Sequence, residues 1–177
     1  KIVAFTGAGI STESGVSDYR SPGGIWDRYD PNDINFQSFL SSERSRRIYW
    51  KFSRELFPSI KQAEPNEAHL ALAELERMGK LDCVITQNID GLHQRAGNSL
   101  EKVIELHGTV FRVWCLDCGR EWPRDEIEER LDQGEDIPLC TECKGLLKPA
   151  TISFGQAMPE RETREAFERA RRCELMM

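Results

Sequence analysis

The sequence predicts an α/β protein in which helices cover both faces of a parallel sheet, with a small additional domain formed by inserted segments. Short apolar runs at 2–6 and 83–86 end in glycine or polar residues, as buried parallel strands do. A helical pattern of apolar residues separates the two runs, which favours a parallel βαβ connection. A polar stretch with paired cysteines, at 110–148, then interrupts this alternation.

The length and charge of the chain make two kinds of partner, nucleic acid and membrane, unexpected. The chain has 177 residues, enough for one full hydrophobic core and a small insertion. Its net charge is −6 with basic residues scattered among acidic ones, so we expect no specific nucleic-acid binding. No apolar run approaches the ~18–20 residues that cross a bilayer, so no membrane partner is expected. Because Lys1 lies inside a predicted strand and Met177 at the start of another, we expect both ends to be truncated.

The first predicted strand leads directly into Gly7-Ala8-Gly9, the pattern of a buried strand that turns sharply at its carboxyl end. Residues 25–62 change in composition to arginine, serine, asparagine and aromatic side chains. We interpret this segment as a helical insertion. Its amphipathic helix is predicted from apolar residues at four-residue steps, which are Ile48, Phe52 and Leu56.

The next elements resume the alternation of helix and strand. Pro65-Asn66 opens a helix that Gly79 ends, because proline favours the first turn and glycine the stop. In the last helix Ala166, Phe167 and Ala170 are predicted to face inward. The other predicted ranges are strands at 83–86, 103–106 and 151–154, the last helix at 159–172 and the start of a strand at 175–177.

Two cysteine pairs, Cys115-x-x-Cys118 and Cys140-x-x-Cys143, have the spacing that lets each pair bend two thiolates toward one point. Two such pairs complete the four-sulfur tetrahedron that Zn²⁺ prefers, so we predict one structural zinc ion. Four cysteine ligands leave no open position for substrate, so the metal should stabilise a loop and take no part in chemistry. A redox-active pair and a disulfide framework are the alternatives.

Two further cysteines, Cys83 and Cys173, lie among apolar residues, which favours buried free thiols. Free thiols persist in reducing compartments, so we expect an intracellular, cytoplasmic protein. No signal peptide opens the chain as it stands.

The loop Gly7-Ala8-Gly9-Ile10-Ser11 follows the first strand and would let the backbone approach a pyrophosphate closely. A glycine turn that serves packing alone is the alternative. The usual dinucleotide fingerprint has a third glycine three residues after the second, and here Gly15 comes six residues after it. A dehydrogenase that transfers hydride therefore fits poorly.

Polar side chains also follow the second and third predicted strands. Gln87-Asn88-Ile89-Asp90 should lie at the carboxyl edge of the sheet, where amide and carboxylate groups suit ribose hydroxyls and a carboxamide, although a turn without ligand is the alternative. His107 follows the third strand and is the best candidate for a general base near neutral pH. His69 and His93 lie in predicted helices and are interpreted as structural histidines.

Together these motifs resemble the sirtuins, the NAD-dependent protein lysine deacylases, over essentially the whole chain. The resemblance depends on the order of the glycine loop, Gly15-Val16-Ser17-Asp18-Tyr19-Arg20, Thr86 to His93, Glu105-Leu106-His107-Gly108, the cysteine pairs and Phe154-Gly155. It implies that NAD is a co-substrate and that an acyl-lysine side chain of a protein is the substrate. The products would be free lysine, nicotinamide and O-acyl-ADP-ribose.

The resemblance also implies residue roles. His107 would be the catalytic base, and the acyl-lysine peptide would lie as an added strand beside Ile152, Ser153, Phe154 and Gly155. Zinc would be held by Cys115, Cys118, Cys140 and Cys143. The residues implied to contact NAD are Gly7, Ala8, Gly9, Ile10, Asp18, Tyr19, Arg20, Gln87, Asn88, Ile89 and Asp90.

We therefore divide the chain into a Rossmann-like NAD-binding domain at 1–24, 63–109 and 150–177, a helical insertion at 25–62 and a zinc-binding module at 110–149. Tyr49 to Ser53 supplies no Tyr and Arg pair for an acidic acyl group, so acetyl or another uncharged acyl group is expected. Mono-ADP-ribosyl transfer or NAD hydrolysis is the alternative activity. A non-catalytic, zinc-stapled binding fragment is the other alternative, since sirtuins continue beyond this point with residues that hold the adenosine half of NAD.

Overall fold

The computed structural model describes residues 1–17 and 28–177. The strands in these ranges are β1 (Ile2–Thr6), β2 (Leu81–Thr86), β3 (Val103–Glu105), β4 (Gly108–Cys115), β5 (Glu121–Pro123), β6 (Leu147–Thr151) and β7 (Leu175–Met176). The α-helices are α1 (Phe36–Ser41), α2 (Glu43–Gln62), α3 (Glu67–Arg77), α4 (Leu92–Ala96), α5 (Arg124–Asp132) and α6 (Glu160–Arg172). Within the same ranges, 3₁₀ helices cover Ala8–Ser14 and Leu100–Lys102. No helix in the described ranges is long and apolar enough to span a membrane.

The larger sheet is parallel and has the strand order β3-β2-β1-β7. Its register pairs Thr6 with Thr86 and Thr86 with Glu105, so the carboxyl ends of three strands meet at one edge. This is the edge at which open α/β sheets bind their ligands. The predicted parallel sheet is confirmed, including the strand that begins at Leu175.

Helices cover both faces of this sheet, as predicted. On one face Ala166 of α6 packs against a cluster that contains Val3 of β1 and Ile104 of β3. On the other face Leu72 of α3 packs against a cluster that contains Ala4 of β1. Successive residues of β1 therefore point to opposite layers, and both are buried, as the continuous apolar run predicted.

The smaller sheet is antiparallel, with the order β5-β4-β6, and it shares one core with the helical insertion. Trp50 of α2, Val113 of β4 and Ile127 of α5 all belong to that core. The small domain therefore combines the predicted helical insertion and the cysteine module. The predicted boundaries at 109/110 and 149/150 fall inside β4 and β6, so the division into segments stays a prediction.

Two features differ from the sequence prediction. The strand predicted at 151–154 ends at Thr151, because Gln156 turns the chain back: its backbone N–H donates to Ser153 O and its Oε1 accepts from Ser153 N–H. Phe167 was predicted to face inward and is 62% exposed. The small Ala166 side chain faces the sheet, and the next residue along a helix is rotated about 100° away from it.

Glycine at 108 is required by the junction between the two sheets. Leu106 and His107 form a two-residue turn that connects β3 of the large sheet to β4 of the small one. Gly108 follows with φ of 71°, and a Cβ atom there would lie 1.9 Å from Ala150 O. Only glycine allows β6 to approach this closely, so His107 is held at the point where the sheets meet.

Candidate active site

A cavity of about 720 Å³ lies at the carboxyl edge of the large sheet, between that edge, helix α2 and strand β6. We call it the central cavity. It brings together side chains that are far apart in the sequence, which is what a reaction site at a sheet edge requires. The lining residues used below are Ser11, Tyr49, Asn88, Asp90, His107 and Ser153.

His107 enters the cavity with one ring nitrogen committed to the backbone. Its Nδ1 lies 2.9 Å from Gln87 O. A carbonyl oxygen can only accept a hydrogen bond, so Nδ1 carries the proton of the neutral ring. Nε2 is then unprotonated and is the nitrogen available as a base. The His107 backbone is fixed as well, because its carbonyl accepts the N–H of Ile152 at 2.9 Å.

Asn88 and Asp90 lie side by side next to the glycine loop. Asn88 Nδ2 donates to Gly7 O at 3.1 Å and to Ser11 Oγ at 3.0 Å. Ser11 Oγ in turn donates to Asp90 at 2.7 Å, and the other Asp90 oxygen accepts the N–H of Leu92 at 3.0 Å. Asp90 is only 3% exposed, and these hydrogen bonds give both oxygens of the buried carboxyl group a partner. The result is a rigid polar wall.

A second set of hydrogen bonds lies behind that wall. Thr6 Oγ1 donates to Thr86 Oγ1 at 2.8 Å, and it lies 2.9 Å from His93 Nε2. The rings of His93 and His69 are 5.0 Å apart, centroid to centroid. Burial lowers the pKa of His69, and burial followed by repulsion from His69 lowers the pKa of His93 to about 4. Both rings are therefore neutral near pH 7.

The glycine loop lies next to the cavity but contributes unevenly to its surface. Gly7 is extended, and the following residues form the 3₁₀ helix Ala8–Ser14. Ala8 lines the cavity, as do Gln87 and Ile89, whereas Ile10 packs into the core beside Leu72. The predicted NAD contacts at Asp18, Tyr19 and Arg20 lie outside the described residues.

The opposite wall is formed by the residues after β6. Ile152, Ser153, Phe154 and Gly155, the residues predicted to lie beside the peptide, all line the cavity. Tyr49 of α2 supports this wall, because its hydroxyl lies 3.1 Å from Ser153 Oγ and 3.2 Å from Thr151 Oγ1. Phe36 N–H donates to Phe154 O at 2.9 Å, which ties helix α1 to the same wall.

A buried lysine lies behind this wall. Lys148 is 1% exposed and has no carboxylate partner among the described residues. Its Nζ donates to Thr151 O and to Pro149 O and lies 5.2 Å from the centre of the Tyr49 ring. Burial alone would raise the pKa of the Tyr49 phenol, but the Lys148 charge and the Ser153 and Thr151 hydrogen bonds outweigh it and lower that pKa.

The four predicted zinc ligands converge in the small domain. The Sγ atoms of Cys115, Cys118, Cys140 and Cys143 all lie within 4.8 Å of one another, and all four are free thiols. Two pairs are 3.4 Å and 3.8 Å apart. Zn–S bonds of ~2.3 Å in a tetrahedron place sulfurs about 3.8 Å apart, so the cluster fits zinc. Backbone N–H groups of residues 118 and 143 point at the sulfurs of Cys115 and Cys140, at 3.5 and 3.4 Å.

Several residues of the site were not singled out from the sequence. Ser11 was visible only as the end of the glycine motif, and its bond to Asp90 spans 79 residues of sequence. Tyr49 was considered only for the choice of acyl group, and Lys148 carried no signal, because a lysine before a proline reads as an exposed residue. Thr6 and Thr86 were predicted as strand residues without a role.

Comparisons with known proteins agree with this geometry. A family model described as "Sir2 family" matches residues 7–177. The "NAD-dependent protein deacetylase" of Thermodesulfovibrio yellowstonii is 49% identical over 174 residues, which are 98% of this chain and 66% of that protein. The "NAD-dependent protein deacylase 2" of Archaeoglobus fulgidus is 46% identical over 176 residues, covering 99% of this chain and 67% of that protein.

Solved structures give the same result. One described as "The Structural basis of Sirtuin Substrate Affinity" has a TM-score of 0.89 and 41% identity, and covers 99% of this chain and 69% of the other. One described as "Sir2-p53 peptide-NAD+" has a TM-score of 0.87 and 41% identity, with coverage of 99% and 68%. The chain spans about two thirds of the length of the relatives it matches.

Proposed function

The chain belongs to the Sir2 family, and we propose that its protein is an NAD-dependent protein lysine deacylase that releases nicotinamide and O-acyl-ADP-ribose. The family predicted from the motifs is confirmed, and its relatives here are named as NAD-dependent deacetylases and deacylases. The observation that carries the proposal is the central cavity, which is lined by His107, with its Nδ1 held by Gln87 O, and also by Asn88, Asp90 and Ser11.

The residues around the cavity fit NAD. Asn88, Asp90 and Ser11 offer an amide, a carboxylate and a hydroxyl, the groups that can bind a carboxamide and ribose hydroxyls. Ala8 and Gln87 extend the same surface toward the glycine loop. When bound, NAD supplies a nicotinamide leaving group and ribose hydroxyls that can carry an acyl group. The volume of about 720 Å³ has room for the nicotinamide and ribose portion together with an acyl-lysine side chain.

His107 is the proposed catalytic base. Its Nδ1–H is held by Gln87 O, so Nε2 can accept a proton from a ribose hydroxyl without loss of ring orientation. The hydrogen-bonded wall of Asn88, Ser11 and Asp90 holds its groups before the reaction, which lowers the reorganisation cost. The proposed reaction needs no nucleophile from the protein, because the attacking oxygen comes from the acyl-lysine substrate.

The substrate is proposed to be an acyl-lysine side chain presented by an extended peptide beside Ile152 to Gly155. This is supported by a similar structure described as "Sir2 bound to acetylated peptide", with a TM-score of 0.87. We propose an uncharged acyl group. Ser53 lines the cavity without a charge, and the Arg28 guanidinium that also lines it lies 3.5 Å from the Glu55 carboxylate. Faster removal of succinyl than of acetyl groups from matched peptides would contradict this choice.

Zinc is proposed to be structural. Cys115 and Cys140 of the sulfur cluster belong to the same hydrophobic core as Trp50 and Val113. Tyr49 of helix α2, which supports the cavity wall, packs in that core as well. A bound ion would therefore stabilise the small domain without contact with the substrate. A cytoplasmic location stays a proposal, supported by the free thiols of Cys83 and Cys173.

The direct test uses an acetyl-lysine peptide incubated with the full-length protein, with and without NAD. Mass spectrometry should detect loss of the acetyl group only when NAD is present. Transfer of label from NAD to protein without any deacetylated peptide would instead favour mono-ADP-ribosyl transfer. Consumption of NAD that does not depend on peptide would favour hydrolysis.

A further inference from the structure

A series of buried and part-buried hydrogen bonds connects His93, whose ring lies beside that of His69, to the wall of the central cavity. His93 Nε2 lies 2.9 Å from Thr6 Oγ1, which donates to Thr86 Oγ1 at 2.8 Å. Thr86 Oγ1 also accepts the backbone N–H of Asn88 at 3.0 Å. Thr6 and Thr86 are the last residues of β1 and β2 and are paired in register, so both hydroxyls lie on one face of the sheet. This series of hydrogen bonds ends at Asn88, which lines the central cavity.

The direction of these bonds fixes the tautomer of each ring. The single hydroxyl proton of Thr6 goes to Thr86, so Thr6 Oγ1 must accept from His93, and His93 carries its proton on Nε2. In His69, Nδ1 accepts the backbone N–H of Asn66 at 3.3 Å, so the proton of that ring is also on Nε2. His93 Nδ1 is therefore a bare acceptor, and His69 Nε2–H is a donor.

Each of these two nitrogens lacks a hydrogen-bond partner among the described residues. His93 Nδ1 and His69 Nε2 are both buried and unpaired, on rings whose centres are 5.0 Å apart. As assigned, the two neighbouring rings leave one acceptor and one donor unpaired, whereas a proton on His93 Nδ1 would leave an unpaired N–H on each ring in this buried space. His69 thus favours the one tautomer of His93 that can donate to Thr6.

We infer that His93 and His69 are positioning residues for the nicotinamide end of the site, acting through Thr6 and Thr86 on the backbone of Asn88. The inference depends on the proposed function, because it assigns these residues to the binding of NAD. Neither histidine lines the central cavity, so neither is expected to touch a ligand. Their effect passes through the orientation of Asn88, whose side chain bridges Gly7 and Ser11.

The test compares two replacements of His93 in the full-length protein. His93→Leu keeps a similar volume but removes both ring nitrogens. His93→Gln keeps one donor for Thr6 and one acceptor for His69. A third variant, Thr6→Val, removes the hydroxyl link and leaves both histidines in place. Ile104→Val is the matched control, because it loosens the core on the opposite face of the sheet.

The readouts are the affinity for nicotinamide and for NAD by titration calorimetry, together with kcat, KM and thermal stability. We expect His93→Leu and Thr6→Val each to weaken nicotinamide binding about tenfold, the loss of one well-ordered hydrogen bond. His93→Gln should recover most of that affinity. The double variant Thr6→Val with His93→Leu should bind nicotinamide no more weakly than either single variant, because both substitutions break the same series of hydrogen bonds.

A purely structural role gives a different pattern. His93→Leu and Thr6→Val would then lower the melting temperature like Ile104→Val while nicotinamide and NAD affinities stay at the wild-type value, and the inference would be wrong. Additive losses in the double variant would also contradict it. If the wild-type protein itself neither binds NAD nor deacylates a peptide, the proposed function fails first, so the two failures can be told apart.

Discussion

His107 Nδ1 and Gln87 O are joined by a hydrogen bond of 2.9 Å, and this one contact decides which nitrogen of the ring can act as a base. The bond connects the turn after β3 to the residue after β2, at the edge where the strands end. Nε2 is free for chemistry because Nδ1 is held by the backbone.

Two replacements of His107 should therefore separate the effect of its hydrogen bond to Gln87 O from the effect of its base. His107→Ala should lower kcat by a factor of about 10² to 10⁴, the usual contribution of a general base. His107→Asn can still donate to Gln87 O but offers no base, so it should be equally inactive. Both variants should keep the wild-type melting temperature within a few degrees, measured by circular dichroism. Activity of His107→Asn near the wild-type rate would exclude His107 as the base.

Gly108 should be the least replaceable glycine at the junction of the sheets. In Gly108→Ala the new Cβ would lie 1.9 Å from Ala150 O, in addition to the strain of φ at 71°. We expect a loss of roughly 2–4 kcal/mol in the free energy of unfolding, measured with urea.

Gly79→Ala provides the matched control. Its φ is 70°, but no atom lies within 4 Å of the added Cβ, so only the backbone strain of about 1 kcal/mol should be seen. Equal losses in the two variants would show that the close approach of β6 at Ala150 is not what requires glycine at 108.

Removal of zinc should unfold the small domain. Binding of ~10–16 kcal/mol is typical of structural zinc and is coupled to folding. We expect one zinc ion per chain by elemental analysis, and a lower melting temperature after treatment with a chelator. Cys118→Ser should lose the ion, whereas Cys173→Ser, outside the cluster, should keep it. A melting temperature unchanged by complete zinc removal would contradict the structural role.

Burial of His93 predicts a dependence of stability on pH. Its pKa falls from 6.5 to about 4 in the folded chain, chiefly because of burial and then because of His69, while Asp90 acts in the opposite direction. Between these pH values the unfolded chain binds a proton that the folded chain does not, so stability decreases as the pH falls from 6.5 toward 4. The loss from this group is on the order of 3 kcal/mol.

Urea unfolding of the wild type and of His93→Gln at several pH values isolates this effect. Protonation of groups remote from His93 occurs in both proteins and cancels in the difference, which leaves the titration of His93 and its coupling to His69. The variant should lose less stability than the wild type between pH 6.5 and 4. Parallel curves for the two proteins would mean that His93 is not buried in its neutral form.

The parts that the sequence predicted well are those encoded locally. The apolar run of β1 and the paired spacing of Cys115 and Cys118 carry their own signal within a few residues. The wall of the cavity does not, because the bonds from Ser11 to Asp90 and from Thr6 to Thr86 join residues about 80 positions apart. Lys148 could not be predicted as buried, since its partners are backbone carbonyls that any sequence would offer.

The most direct measurement is the balance of products from an acetyl-lysine peptide, NAD and the full-length protein. Deacylation through the central cavity predicts one nicotinamide and one O-acetyl-ADP-ribose for each peptide deacetylated, with no turnover by His107→Ala. Nicotinamide released with free ADP-ribose, or with ADP-ribose attached to protein, and with the peptide still acetylated, would contradict that account.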